Sequence, residues 1–400
     1  MVEVNRDERF DHFLAPQGNP DSIRRLAWRR SAMRLHILLS LRCERPSDEL
    51  SYLLDQLGRA SAGARHRALA APEMAVYIEA LLSDVAPSAD IAAPILARIA
   101  SVTSTPVRQT FSWSGKLTLD YLPLGACAVR VPGEELNAPE LLLDDHWIRL
   151  SSPRGGPRVR VPIKYPELAF ENCFFRSEKL EIVDGWKPFC DTFDDGNVSV
   201  NLDPPARTEL TRLLSEAVTL IEVGLPAALE EMLETAQYFS PIRTRDIDTS
   251  ALPSFSSPAL PGVIFVGIQQ GNGRWIDALH LAESCIHEHL HNRLYLLDEA
   301  LPLTISTAKP RSYFSPWKRT KRGIDGMIHA IYVFSHLAWF WRMIGNKLTD
   351  LDKYAALCVD EQVEHLRTAT TEIDTDELTE AGRRVLWAST EILATLTAGS

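Results

Sequence analysis

The hydrophobic pattern changes period twice along the 400-residue chain, and this change limits the folds that it can adopt. Residues 1–108 place apolar side chains at spacings of three and four, which is typical of amphipathic helices. Residues 109–205 instead hold short alternating segments separated by Gly, Pro, Asn and Asp, which predict strands and hairpins. Residues 206–400 return to the helical period. The expected fold class is α+β, predominantly helical, with an N-terminal helical region, a β-rich middle and a helical C-terminal region.

Charge and hydropathy narrow the classes of partner. The net charge of -11 argues against a general nucleic-acid binder, because phosphate binding needs a basic face. The first residues, MVEVNRDERFDHF, contain no apolar core of a signal peptide, and no run reaches the roughly 18 to 20 apolar residues of a membrane helix. We therefore expect a cytoplasmic protein with neither nucleic acid nor membrane as partner.

The strongest chemical signal is the run HEHLH, which begins at His287 and fits the pattern HExxH. Residues 277–297 are predicted to be a long helix, so that His287 and His291, four apart, project from one face and can hold one cation. Glu288 lies beside them and can reach a metal-bound water or the metal itself. We therefore expect region 206–400 to be the metal-binding catalytic region.

Two histidines do not hold a metal well, so a third ligand is expected. His329 is the best candidate, because it lies in a strongly apolar predicted helix over residues 325–344, where a buried imidazole needs a partner. His336 lies two turns further on the same face, and a core histidine bonded to a backbone carbonyl is the alternative for both. Three acidic residues are alternatives for a site of two histidines and one carboxylate: Glu283, Asp298 and Glu299.

A zinc hydrolase is the first chemistry that this motif indicates, with Glu288 as the general base on zinc-bound water. The extended motif HExxHxxGxxH is absent, because Leu294 stands three residues after His291 where that motif has glycine. An acidic third ligand on a downstream helix would have to be Asp325 at best. These departures weaken the peptidase interpretation without excluding it.

A non-haem Fe(II) oxygenase is the second chemistry. Iron held by three protein ligands keeps positions for a 2-oxo acid and for oxygen, and the distal carboxylate of 2-oxoglutarate needs a cationic partner, best an arginine. The predicted loop before the His329 helix supplies four cations: Lys318, Arg319, Lys321 and Arg322. A solvated basic loop, or a loop that binds an acidic peptide, is the alternative for most of them.

Three segments together resemble a known family. They are PGVIFVGI at 261–268, AESCIHEHLHNRLYLL at 282–297 and YFSPWKRTKRGIDGMIHAIYVF at 313–334. They are similar to the peptide-modification proteins with an HExxH motif, described as 2-oxoglutarate- and iron-dependent peptide β-hydroxylases encoded near precursors of ribosomal peptide natural products. The resemblance covers about residues 205–345, and more loosely the helices on either side.

The resemblance implies that His287 and His291 are iron ligands and that His329 is the third. Arg322 falls where the family has an arginine after its SPW segment, and Arg319 is the second candidate for 2-oxoglutarate. The implied cofactors are Fe(II) and 2-oxoglutarate, and the implied partner is a precursor peptide hydroxylated at a β-carbon.

The chain departs from the family pattern with Gly323 in place of a proline and Ala330 in place of a glycine. Glu288 is the expected catalytic residue of the motif, as a base in a hydrolase or as a group that orients a histidine in an oxygenase. A zinc peptidase of HExxH type and a non-catalytic peptide-binding protein remain the two alternatives. Strand addition to the β-rich middle is one way in which the peptide could bind.

Overall fold

The structure, a computed structural model, describes residues 14–84, 86–102, 108–113, 116–117, 121–124, 127–130, 136–137, 139–143, 147–151, 159–162, 176–177, 180–183, 197–200, 202–236, 238–244, 252–270, 272–305 and 311–398. Parts of the region that was predicted to be β-rich, among them 163–175 and 184–196, lie outside the described residues.

Helices dominate the described chain, and short strands concentrate between residues 109 and 267, so the α+β, mainly helical fold class is confirmed. The helices are α1 Pro20–Glu44, α2 Asp48–Arg59, α3 Ala62–Ala70, α4 Pro72–Leu82, α5 Ala89–Val102, α6 Pro204–Gly224, α7 Pro226–Thr235, α8 Ala278–Ala300, α9 Ile324–Lys347, α10 Asp352–Glu372 and α11 Glu380–Ala398. Two 3-10 turns, Thr349–Leu351 and Thr375–Glu377, precede α10 and α11.

The strands are β1 Gln109–Ser112, β2 Lys116–Leu117, β3 Tyr121–Leu124, β4 Cys127–Arg130, β5 Leu136–Asn137, β6 Glu140–Leu143, β7 Trp147–Ser151, β8 Val159–Pro162, β9 Arg176–Ser177, β10 Leu180–Ile182, β11 Asn197–Ser199, β12 Tyr238–Thr244, β13 Ser254–Phe255, β14 Val263–Gly267, β15 Tyr313–Ser315 and β16 Thr320–Arg322. An antiparallel sheet has the order β1-β6-β7-β8. A second, mixed sheet has the order β13-β14-β12-β10-β9, with β11 paired to β12.

The mixed sheet extends into residues 240–262, a segment whose high content of Ser and Pro is typical of loops. Strand β12 begins just before this segment and runs parallel to both β10 and β14. Pro241 lies inside β12. Proline is unusual in a central strand, because it has no N–H group to donate to the neighbouring strand. Burial of Tyr238 and Phe239 in the sheet outweighs that loss.

The chain forms two compact units, each built from non-consecutive segments. The first unit comprises Met1–Ala27, Arg212–Thr235 and Asp277–Ser400, and the second comprises Trp28–Thr211 and Ala236–Ile276. The candidate site residues named above all lie in the first unit. Among the described residues, no helix combines the length and the apolar composition that crossing a bilayer requires.

Helices α8 and α9 carry the predicted histidines, and their starts follow from the sequence. Asp277 is the N-cap of α8, where its Oδ1 accepts hydrogen bonds from the backbone N–H groups of Leu279 and His280 at 3.0 Å. Its negative charge also suits the positive end of the helix dipole. Helix α9 begins after Gly323 and is apolar around most of its circumference, so it is largely buried.

Candidate metal centre

Helix α8 places His287 and His291 one turn apart on the same face. The centroids of their rings lie 5.0 Å apart, as the spacing of four residues requires. The His287 side chain is 23% exposed to solvent, so the pair lines a partly open surface that a ligand can reach.

Helix α9 brings His329 to this pair. Its Nδ1 lies 3.2 Å from Nδ1 of His291, and the two rings are close to parallel with centroids 5.5 Å apart. Tyr295, one turn beyond His291 on α8, contacts the same group with its ring centroid 5.2 Å from that of His329. The three candidate metal ligands His287, His291 and His329 therefore lie close together.

All three imidazoles have depressed pKa values, mainly because burial disfavours the charged ring. The pKa of His287 falls to about 4 through burial and the nearby Lys318 ammonium. The pKa of His329 falls to about 4 through burial, against the opposing effect of the Asp298 and Asp325 carboxylates. That of His291 falls well below its usual value, because two further imidazoles and two cations add to its burial. The rings are therefore neutral at pH 7, the form in which histidine binds a metal.

The described residues do not present a preformed ligand set. Among them, no group of three or more His, Cys, Asp or Glu side chains is arranged to hold a metal ion. The chemistry of three neutral imidazoles nevertheless suits iron or zinc. Two nitrogens bound to one metal at about 2.1 Å and an angle of about 90 to 110° lie about 3.0 to 3.4 Å apart, and the separation of 3.2 Å between His291 and His329 falls in this range.

Glu288 lies at the edge of the histidine group. Its carboxylate is buried, with 1% exposure, and Oε1 lies 3.9 Å from Nε2 of His287. This separation exceeds a direct hydrogen bond but leaves the carboxyl group beside the ring. The geometry suits a group that favours one orientation of His287.

Two of the four cations of the predicted loop act electrostatically on the histidines. Lys318 lowers the pKa of both His287 and His291, and Arg322 lowers the pKa of His291 and His329. The guanidinium of Arg322 lies over Gly326 in the first turn of α9, where a Cβ atom would come within 2.9 Å of Nε. Arg319 has no such effect on the three imidazoles and lies in the turn, with a left-handed φ of 52°.

The predicted loop that carries these cations is an antiparallel hairpin of β15 and β16. Tyr313 pairs with Arg322 and Ser315 with Thr320. Strands of three residues around a turn containing Pro316 are too short to give a recognisable alternating pattern.

Aromatic side chains form a wall beside His287. The Phe334 ring meets that of His287 edge to face, with centroids 5.3 Å apart, and Trp317 stacks on Phe334 at 4.5 Å. The Trp317 indole N–H donates to Oε1 of Gln362 on α10 at 2.8 Å. The stacking on Phe334 of α9 and the hydrogen bond to α10 together hold the hairpin turn against both helices.

Of the other candidate ligands, Asp298 is near enough to His329 to act on its pKa, and its Oδ1 accepts a hydrogen bond from the backbone N–H of Leu303 at 2.8 Å. Both ring nitrogens of His336 lie near backbone carbonyl oxygens, that of Tyr332 at 2.8 Å and that of Leu14 at 3.3 Å, as the core-histidine alternative expects. Glu283 accepts a hydrogen bond from the indole N–H of Trp341 at 3.1 Å, and burial raises its pKa. Glu299 is exposed.

A buried polar network behind the metal-motif helix was missed by sequence reasoning. Glu231 of α7 has no exposed side-chain surface, and its Oε2 lies 3.2 Å from Nε2 of His289 and 3.6 Å from Nη1 of Arg293. The backbone N–H of Asn19 donates to its other oxygen. Burial acts to raise the pKa of Glu231, but the Arg293 charge and the hydrogen bonds outweigh it and lower the pKa. The three polar residues thus fix the rear face of α8.

Comparison of the chain with known proteins identifies no relative. A scan against protein-family models finds no match for the chain, and a search of curated proteins likewise finds none. The resemblance to the HExxH peptide-modification family therefore stays a prediction from the residues quoted above.

Proposed function

We propose that this chain is an Fe(II)- and 2-oxoglutarate-dependent oxygenase that hydroxylates a side-chain β-carbon of a ribosomally made precursor peptide. The observation that carries the proposal is the approach of His287, His291 and His329 from two helices. When bound, iron and 2-oxoglutarate supply the chemistry by which one atom of O2 enters a C–H bond while the 2-oxo acid loses CO2.

The three imidazoles are the proposed iron ligands. Their depressed pKa values keep them neutral at pH 7, so that metal binding releases few protons and remains effective in mildly acidic solution.

Arg322 and Lys318 are the proposed partners of the 2-oxoglutarate carboxylates. A dicarboxylate bound beside three neutral ligands needs positive charge, and these two cations are the ones that act on the histidines. Gly326 leaves room for the Arg322 guanidinium to lie over the start of α9. A planar guanidinium offers two parallel N–H donors to one carboxylate, so Arg322 is the stronger candidate.

Glu288 is assigned to positioning His287, in keeping with its burial and the separation of 3.9 Å. A zinc peptidase would instead use this carboxylate as the base on metal-bound water. The proposal and this alternative differ in the product, so the product is the first thing to measure.

The direct test is mass spectrometry of a precursor peptide after co-expression with the enzyme. A gain of one oxygen atom, located on a β-carbon by fragmentation, is the expected result. Cleavage of the peptide would point to the peptidase, and an unaltered peptide across all tested precursors would favour a non-catalytic binding protein.

A paired substitution tests the assignment of 2-oxoglutarate. Arg322→Ala is expected to weaken 2-oxoglutarate binding at least about tenfold while Fe(II) binding is retained, because a bidentate charged pair is lost. Arg319→Ala is the matched control from the same turn and is expected to leave the 2-oxoglutarate affinity nearly unchanged. Equal losses in both variants would contradict the assignment.

A further inference from the structure

The β15–β16 hairpin has two chemically different faces. Tyr313 and Ser315 are buried, with 6% and 0% exposure, whereas Phe314 between them is 43% exposed. Because neighbouring side chains on a strand face opposite ways, Phe314 shares the outward face with Lys321, its partner across the hairpin. Arg322 pairs with Tyr313 and lies on the inward face, from which it acts on the histidines.

The hairpin is held at both ends. At its base the Tyr313 hydroxyl donates to Oε2 of Glu377 at 2.6 Å, and at its turn Trp317 donates to Gln362 at 2.8 Å. The backbone N–H of Arg319 also donates to the carbonyl of Ser315 at 2.7 Å, which closes the turn. The outward face is therefore presented by an anchored scaffold, which lowers the entropy cost of binding a partner.

Four cationic side chains of this hairpin and its turn are exposed: Lys318, Arg319, Lys321 and Arg322. None of them forms an ion pair with another described residue. Lys318 and Arg322 act electrostatically on the histidines of the candidate site, whereas Arg319 and Lys321 are not among the charges that shift those pKa values. A chain with net charge -11 thus concentrates unpaired positive charge beside its candidate site.

We infer that the outward face of the hairpin, with Phe314 and Lys321, together with the exposed Arg319 of its turn, docks an acidic segment of the peptide substrate. This inference rests on the proposed function and names the class of peptide that the site accepts. The net negative charge of the chain repels an acidic peptide, whereas the cations of the hairpin attract it, so the charge both steers and orients the peptide. The exposed Phe314 ring supplies an apolar contact at the centre of the face.

The test uses the full-length protein without metal or 2-oxoglutarate and a fluorescein-labelled peptide in which glutamate alternates with glycine. Fluorescence anisotropy is expected to show binding that weakens as salt rises, and a peptide with glutamine in place of glutamate is expected to bind at least about tenfold more weakly. The double charge reversal Arg319→Glu, Lys321→Glu is expected to weaken binding of the acidic peptide about tenfold.

Two further variants separate charge from folding. The pair Arg25→Glu and Lys353→Glu reverses the same number of exposed cations on α1 and α10 and is expected to change the affinity less than about twofold. The pair Arg319→Asn, Lys321→Gln only neutralises charge, and asparagine tolerates the left-handed backbone at 319. It is expected to fall between the wild-type protein and the hairpin reversal.

Equal binding of the glutamate and glutamine peptides, or equal effects of the hairpin and control reversals, would overturn the inference. Tighter binding of single-stranded DNA than of the acidic peptide, lost in the same hairpin variants, would also overturn it and mark a nucleic-acid surface. The peptide assay contains no metal, so peptide binding and Fe(II) binding are measured separately. If the protein binds the acidic peptide but no Fe(II), only the proposed function is contradicted. Iron binding without a preference for the acidic peptide would defeat only this inference.

Discussion

Removal of the Glu231 carboxylate is a sharp test of the interactions that hold the metal-motif helix in place. Glu231, His289 and Arg293 are each at most 1% exposed, and Oε2 of Glu231 lies 3.2 Å from Nε2 of His289 and 3.6 Å from Nη1 of Arg293. In Glu231→Ala the Arg293 guanidinium stays buried and loses the carboxylate that faces it. Breaking a buried pair from one side costs about 3 to 5 kcal/mol, because an uncompensated charge remains in the interior.

The control is Glu234→Ala on the same helix. Glu234 pairs with Arg24 at 3.0 Å, but the two side chains are 36% and 40% exposed, so water screens the interaction. Exposed pairs of this kind contribute at most about 1 kcal/mol. Glu231→Gln is the intermediate case, because it keeps an acceptor for the Asn19 N–H and loses only the charge.

The assay is urea unfolding at pH 7 followed by far-UV circular dichroism, with the free energy of unfolding taken from the midpoint and slope. We expect Glu231→Ala to lose at least about 2 kcal/mol more than Glu234→Ala. Equal losses in the two variants would refute the argument that the buried network stabilises the rear face of α8.

Two further predictions concern a glycine and a core histidine. Gly326→Ala is expected to displace the Arg322 guanidinium and to weaken 2-oxoglutarate binding about tenfold, as measured by calorimetry. The control Gly323→Ala, whose Cβ meets nothing within 4 Å, is expected to leave this affinity unchanged. Equal effects of the two variants would contradict the role of the contact between Arg322 and Gly326. His336, with its pKa lowered by burial to about 3, gives stability that is present above about pH 6.5 and lost as the pH falls toward 3. Between pH 7 and pH 5 the titration of His336 lowers the free energy of unfolding by about 2 kcal/mol. Over this interval the free energy of unfolding of His336→Asn, measured in urea, should therefore fall by about 2 kcal/mol less than that of the wild-type protein. Equal falls in the two proteins would disprove the prediction.

The metal-motif helix and the helix that carries His329 were predictable because long amphipathic or apolar periods are local properties of the sequence. Asp277 marks the start of α8 through a capping pattern that sequence alone reveals. The presence of His287 and His291 on one face follows from helix geometry alone.

Other parts depend on contacts between distant residues, which periodicity does not record. Glu231 meets His289 from 58 positions away, and nothing around either residue signals the other. The inward and outward faces of the hairpin depend on the Tyr313 anchor to Glu377, again far apart in sequence. Pro241 shows the opposite problem, since its local preference disfavours a strand that burial in the sheet nevertheless stabilises.

The most direct test of the account is the Fe(II) stoichiometry of the anaerobically purified protein, measured by elemental mass spectrometry. The wild-type protein is expected to bind about one Fe(II), and His287→Ala, His291→Ala and His329→Ala are each expected to lose it. The control is His280→Ala on the same helix, an exposed histidine bonded to Asp277 at 2.7 Å, which should retain full occupancy. Full occupancy in the three site variants would contradict the central claim that these histidines hold the metal.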